Sequence, residues 1–212
     1  GQYSELAFDT LVTPVPLYRS LLRYLGPYGV TLRELAYESP TLSETRVSCI
    51  HLNLSTNLLI RLDRLEVNFL RFHELGGDIA QRFLLDSWAA VHEVTPSLDI
   101  LEHRVMGSID VRIQDVSYDS IIQRYVRIPA ALGEQTHAGV AFYLPSDLSR
   151  GERGGHIVLD RLAAQEDVMV FRMTILFDAR QVPLNTLDSR VAEYITRHLD
   201  SLGLAFDQEN SR

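Results

Sequence analysis

Apolar residues Leu17, Leu21, Leu22 and Leu25 recur at helical spacing behind Pro14 and Pro16, and Gly26-Pro27 ends the run. A short helix is predicted there, with proline in its first turn. From residue 30 the period changes to two. Residues 30–38 and 47–54 read as strands, the second with Ser48, Ile50, Leu52 and Leu54 on one face. Residues 57–72 alternate with a slip, since Ile60 and Leu62 occupy even positions while Leu65, Val67 and Phe69 occupy odd ones. A one-residue slip would turn a strand inside out, so the chain is expected to turn or bulge around Asp63-Arg64, a tight hairpin being preferred to a bulge. Gly76-Gly77-Asp78 then ends the strands, with Asp78 as the expected N-cap. Ala80, Phe83, Leu84, Ser87, Trp88, Val91 and Val94 define a long helix.

The clearest alternation follows. Leu101, His103, Val105, Gly107, Ile109, Val111 and Ile113 face one way; Glu102, Arg104, Ser108, Asp110 and Arg112 face the other. One wet face and one dry face imply an antiparallel sheet. A short helix over 118–126, a strand over 140–144, a polar loop over 145–155 and a meander of 156–163 and 168–177 come next. Gln165-Glu166-Asp167 is the expected turn of that meander. A second long helix spans 184–202, with Leu187, Val191, Tyr194, Ile195 and Leu199 inward, Asn185 or Thr186 at its start and Gly203 at its end. The tail, 207–212, is polar and expected to fray. The predicted fold is α+β, with antiparallel hairpins and a meander packed by two long helices. It is read as one domain, 1–212, whose plan repeats over 28–113 and 117–206 as an internal duplication would.

The run Leu58-Leu59-Ile60-Arg61-Leu62-Asp63-Arg64-Leu65-Glu66-Val67-Asn68-Phe69, followed by a helix and a strand, resembles a sporadically distributed family of uncharacterised bacterial proteins. So does the ending, from His156-Ile157-Val158-Leu159-Asp160 through 187–206. The resemblance covers the central and C-terminal parts and implies antiparallel sheets with two long helices. It implies no activity. The layout is also similar to that of SecB-type export chaperones, an analogy of architecture alone.

Charge and cysteine usage narrow the chemistry. All 20 basic residues are arginine and lysine is absent, which excludes Schiff-base chemistry and a P-loop lysine from this chain. A net charge of −8 opposes general nucleic-acid binding. No apolar run approaches the roughly 20 residues that span a bilayer, and no charged-then-apolar leader opens the chain. A single cysteine, Cys49, fits a reducing cytoplasm; mid-strand, it reads as buried and inert.

Seven histidines are the candidates for metal, but none forms a HExxH pattern. His51, His103 and His156 lie on predicted strands and would leave an open zinc position if they met. Arg61, Arg64 and Arg71 on the hairpin, with Arg82 on the next helix, are candidates for an anion site, because arginine pairs bidentately with carboxylate and phosphate. Arg150-Gly151-Glu152-Arg153-Gly154-Gly155 leads into a strand rather than a helix, so it reads as a hairpin connection. No catalytic motif emerges and no cofactor is called for. The expectation is a non-enzymatic module of a cytoplasmic bacterial protein, pairing with itself as a homodimer or with another protein. Tyr3, Tyr18, Tyr24, Tyr28 and Tyr37 supply early interface-type aromatics. A metal-dependent hydrolase using the strand histidines and a small-anion sensor using the hairpin arginines are the alternatives.

Overall fold

The computed structural model describes residues 1–51, 54–113, 117–127, 138–162 and 168–204. In chain order the elements are β1 (Gln2–Tyr3), α1 (Phe8–Val12), α2 (Pro14–Leu25), β2 (Leu35–Glu38), β3 (Arg46–His51), β4 (Thr56–Arg61), β5 (Leu65–Phe69), α3 (Phe72–Leu75) and α4 (Gly77–Val94). Then come β6 (Ile100–Arg112), α5 (Tyr118–Ile122), β7 (Val140–Leu144), β8 (Glu152–Arg161), β9 (Val168–Asp178) and α6 (Leu187–Ser201). The fold is α+β with antiparallel sheets. One sheet has four strands in the order β2-β3-β4-β5; the other has five, in the order β1-β6-β9-β8-β7. The chain divides into two compact units, 1–103 with 182–212, and 104–181.

In the first unit the hairpin forms where the slip in phase requires it. Ile60 pairs with Leu65, and the Arg61 N–H donates to the Arg64 carbonyl at 2.9 Å, so Leu62 and Asp63 make the turn. The turn restores Leu58, Ile60, Leu62 and Leu65 to one buried face. Upon that face pack Leu17, Leu21 and Leu25 of α2 and Phe83, Ala90 and Val91 of α4. Phe83 sits at the centre, its ring edge-on to Tyr28 at 5.2 Å and to Phe69 at 6.2 Å. The two helices are also tied at their exposed margin, where Ser20 and Arg23 donate to Glu93 at 3.0 and 2.7 Å. α6 docks through Gln81, whose amide donates to the Asn185 carbonyl at 2.8 Å and to Asp188 at 3.0 Å.

Three expectations change here. The strand expected over 30–38 is shortened to β2, because Glu34 and Leu35 donate back to Thr31 and Leu32 and make turns instead. In β3 the inward face carries Val47, Cys49 and His51, while Ile50 is 54% exposed. Ser48 and Ile50, two of the even positions that seemed to form the apolar face, therefore point away from the helices; Leu54 lies in the turn after β3 and packs on the core, and Leu52 lies outside the described residues. Asp78 falls in the first turn of α4, whose N-cap is Gly76.

In the second unit β7, β8 and β9 form the expected meander, with Phe142 paired to Ile157 and Ile157 to Met173. The expected turn at 165–167 lies outside the described residues, as does the tail at 207–212. Ile157, Leu159, Phe171, Met173, Ile175 and Phe177 are buried. Tyr125, just after α5, sets its ring edge-on to Phe142 at 5.0 Å. β6 begins in the first unit, where it pairs with β1, and continues into the second. Gly107 on β6 makes room for Met173, whose Cε would lie 2.9 Å from a Cβ there. The glycine-rich segment leads into β8 through a bulge between Glu152 and Gly154, with no helix after it.

Both long helices expected from the pattern, α4 and α6, belong to the first unit, with α2 as a third of 12 residues. The central role of Phe83 yields a test. Phe83→Ala should cost about 3–5 kcal/mol in urea unfolding. Leu70→Ala, at a position 78% exposed, should change stability by no more than about 0.5 kcal/mol. Equal losses would contradict the packing described.

Candidate functional site

His51 ends β3, and Leu54 and Ser55 turn into β4. The Leu54 N–H donates to His51 Nδ1 at 3.1 Å, so the neutral ring carries its proton on Nε2. The residue is 3% exposed, and Nε2 has no hydrogen-bond partner among the described residues. Facing it is Gly29, which follows the turn at the end of α2 and holds φ at 90°. A Cβ at Gly29 would stand 3.6 Å from Nε2, so the missing side chain is what keeps this nitrogen accessible.

Around these two residues lies an open hollow of about 430 Å³, lined by Gly29, Arg33, Glu34, Ala36, Ser48, Ile50 and His51. The Ser48 hydroxyl has no partner among the described residues although the residue is buried, and Arg33 makes no ion pair there. Glu34 is differently placed. One of its carboxylate oxygens accepts from the Thr31 hydroxyl at 2.6 Å and from the Thr31 N–H at 2.8 Å. These bonds hold its carboxyl below the usual carboxylate range. Cys49 lies on the inward face of β3, where burial, with the Glu34 charge adding to it, pushes its thiol up to about 11. It is a core residue with no nucleophilic character.

The three histidines proposed for metal do not share an environment. His51 and His103 belong to the first unit, whereas His156 lies on β8 in the second, paired across the strands with Tyr143. Among the described residues no group of three or more His, Cys, Asp or Glu side chains is arranged to hold a metal ion. His103 is 2% exposed. Burial, reinforced by the positive Gly1 amino group and opposed by a hydrogen bond to the Val182 backbone, lowers its pKa from 6.5 to about 4.

The hairpin arginines separate as well. Arg61 and Arg64 both approach Glu66, Arg61 at 3.5 Å, and Arg64 also donates to Asp63 at 2.7 Å. Arg71 stands at the opposite end of β5, 3.5 Å from Glu74, and Arg82 Nε donates to the Asp78 carbonyl on its own helix at 3.2 Å. Arg61, Arg64 and Arg71 are thus engaged by local carboxylates and Arg82 by a backbone carbonyl, rather than by one shared anion. Of the early tyrosines, Tyr3, Tyr18, Tyr24 and Tyr28 pack on the core, and Tyr37 is exposed.

Of the residues lining the hollow, Gly29, Arg33 and Ser48 were not among the candidates that the sequence suggests. The one signal available was Gly29 after Gly26-Pro27-Tyr28, a turn sequence suited to positive φ. Comparison with protein-family models, with curated proteins and with solved structures finds no match to this chain.

His103 generates a pH prediction. Its folded pKa lies below its unfolded one, so between pH 6.5 and about 4 the unfolded chain binds the extra proton. Stability is then full above pH 6.5 and falls on acidification, by up to about 3 kcal/mol near pH 4. Urea midpoints measured across that range should fall more steeply for the wild type than for His103→Gln. Parallel pH profiles would contradict it.

Proposed function

We propose that this chain is an assembly module that pairs with a second copy of itself through the outer edge of β7. The observation that carries this reading is the edge itself. β7 ends the five-stranded sheet, and among the described residues no strand pairs with its outer side. An exposed edge offers a row of backbone donors and acceptors, and natural proteins guard such edges with charge or proline. None of Val140-Ala141-Phe142-Tyr143-Leu144 is charged, proline comes only after them at Pro145, and Tyr143 is 83% exposed.

The strand is also complementary to itself. If two copies pair antiparallel about a two-fold axis at Phe142, Ala141 faces Tyr143 of the second copy on one side of the sheet. On the other side Val140 faces Leu144, and the two Phe142 rings meet at the axis. Small opposes large, apolar opposes apolar, and no like charges are opposed. Of the other outer strands, β2 ends in Glu38, which is ion-paired with Arg46, and β5 carries Glu66, which is ion-paired with Arg61 and Arg64.

No helix among the described residues is long and apolar enough to cross a membrane. A cytoplasmic setting is part of the same proposal, supported by the single cysteine buried in the core. Native mass spectrometry with light scattering tests the reading. The wild type should be a dimer at about micromolar to tens of micromolar concentrations. Tyr143→Glu or Ala141→Lys alone should give monomer. The double variant carrying Ala141→Lys and Tyr143→Glu should recover the dimer, because the two new side chains face each other across the axis. A monomeric wild type, or a dimer indifferent to all three variants, would overturn the proposal.

A further inference from the structure

A second docking edge exists independently of β7: we infer that the open part of β5 binds a short extended peptide of another protein, lying antiparallel to β5 and in line with β1. The Arg61 N–H donates to the Arg64 carbonyl and the Leu70 N–H to the Ser55 carbonyl, each at 2.9 Å. By the alternation of an antiparallel ladder, Glu66 and Asn68 then turn their backbone groups toward β4, while Leu65, Val67 and Phe69 turn theirs outward. Leu65 is already taken. Its N–H donates to the Gly1 carbonyl at 3.0 Å, and its carbonyl accepts from the Gly1 nitrogen at 2.8 Å. Val67 and Phe69 have no partner strand on that side among the described residues. Two rungs of a ladder that β1 has begun are therefore vacant, and an edge with unpaired donors and acceptors is a template for an added strand.

The vacancy also defines what fits it. Val67 and Phe69 direct their side chains to the helix-covered face of the sheet, where both are only partly buried against the core. Phe72 of α3, 54% exposed, sets its ring edge-on to Phe69 at 6.1 Å. Peptide residues opposite Val67 and Phe69 are thus apolar, and they cover surface that β5 and α3 leave part-exposed. The residue between them stands opposite Asn68, which is exposed, and is polar. Gly1 closes the run at one end, and at the other Leu70 turns its N–H back to Ser55. Two rungs between fixed ends suit a peptide of about four residues rather than a whole strand of a second copy.

A capped tetrapeptide alternating threonine and valine, with valine second and fourth, is the probe, and residue-resolved amide exchange of the full chain is the readout. The fourth residue comes opposite Val67 and the second opposite Phe69. A dissociation constant of about 1 mM is expected for so short a ladder. At about ten times that concentration the Val67 and Phe69 amides should exchange about tenfold more slowly, while those of β7 keep their free rate. N-methylation of the two valines removes the donors aimed at β5 and should abolish the protection. N-methylation of the two threonines, whose N–H groups point away, should leave it intact. Phe72→Ala should weaken binding about threefold, and Ile50→Ala, at an exposed position on β3, should change nothing. No slowing at Val67 and Phe69, slowing indifferent to which residues are methylated, equal weakening by the two substitutions, or protection on β7 instead would overturn the inference.

Discussion

Backbone N–H and C=O groups at the edge of a sheet have to find partners, and β1 meets that demand for two strands with very few residues. Gln2 bridges Arg64 on one side and pairs with Glu102 on the other. The Leu65 N–H donates to the Gly1 carbonyl at 3.0 Å, and the Tyr3 N–H to the Asp63 carbonyl at 2.8 Å. The Ala7 N–H then reaches the Leu62 carbonyl at 2.7 Å. The turn between β4 and β5 is thereby held from outside as well as by its own hydrogen bond. The same few residues deliver Tyr3 into the core beside Trp88, with ring centroids 6.0 Å apart. From there α1 and α2 start in the one place from which the leucines of α2 can reach the sheet.

What this closure leaves over decides where function can lie. β1 covers only the approach to β5 and the start of β6, so among the described residues β2, β5 and β7 are outer strands and β6 has no strand on that side beyond Glu102. Their sequences treat the problem differently. β2 is short and charged at its end, and a hollow lies beside it and the turn before it. β7 is uncharged and displays its tyrosine.

The helices were legible because their apolar stripes are long and their ends punctuated: Pro14 and Pro16 in the first turn of α2, Gly76-Gly77 at the start of α4. The hairpin was legible because side-chain phase is a strict rule, and the slip between Leu62 and Leu65 admits few solutions. The inward face of β3 was misread because Ser48 and Ile50 look like part of an apolar row. Only the pairing of Val47 with Ile60 and of Cys49 with Leu58 shows which side faces α2 and α4. β6 illustrates a different limit. Its alternation is real, yet Ile109 on the apolar row is 38% exposed, since periodicity gives a face and not what covers it. The candidate sites were less legible still. That Arg61 finds the Glu66 carboxylate across the hairpin, and that the Leu54 N–H donates to His51 Nδ1, follows from turn geometry that the sequence does not display.

The central claim is that β7 acquires a partner strand. Amide hydrogen exchange, read residue by residue at low and high protein concentration, tests it most directly, because a new strand protects the outward-facing amides of β7 and no others. The account predicts that alternate amides within Val140–Leu144 exchange more slowly as concentration rises, while those of β2 keep their rate. Exchange along β7 that is equally fast at every concentration would contradict it.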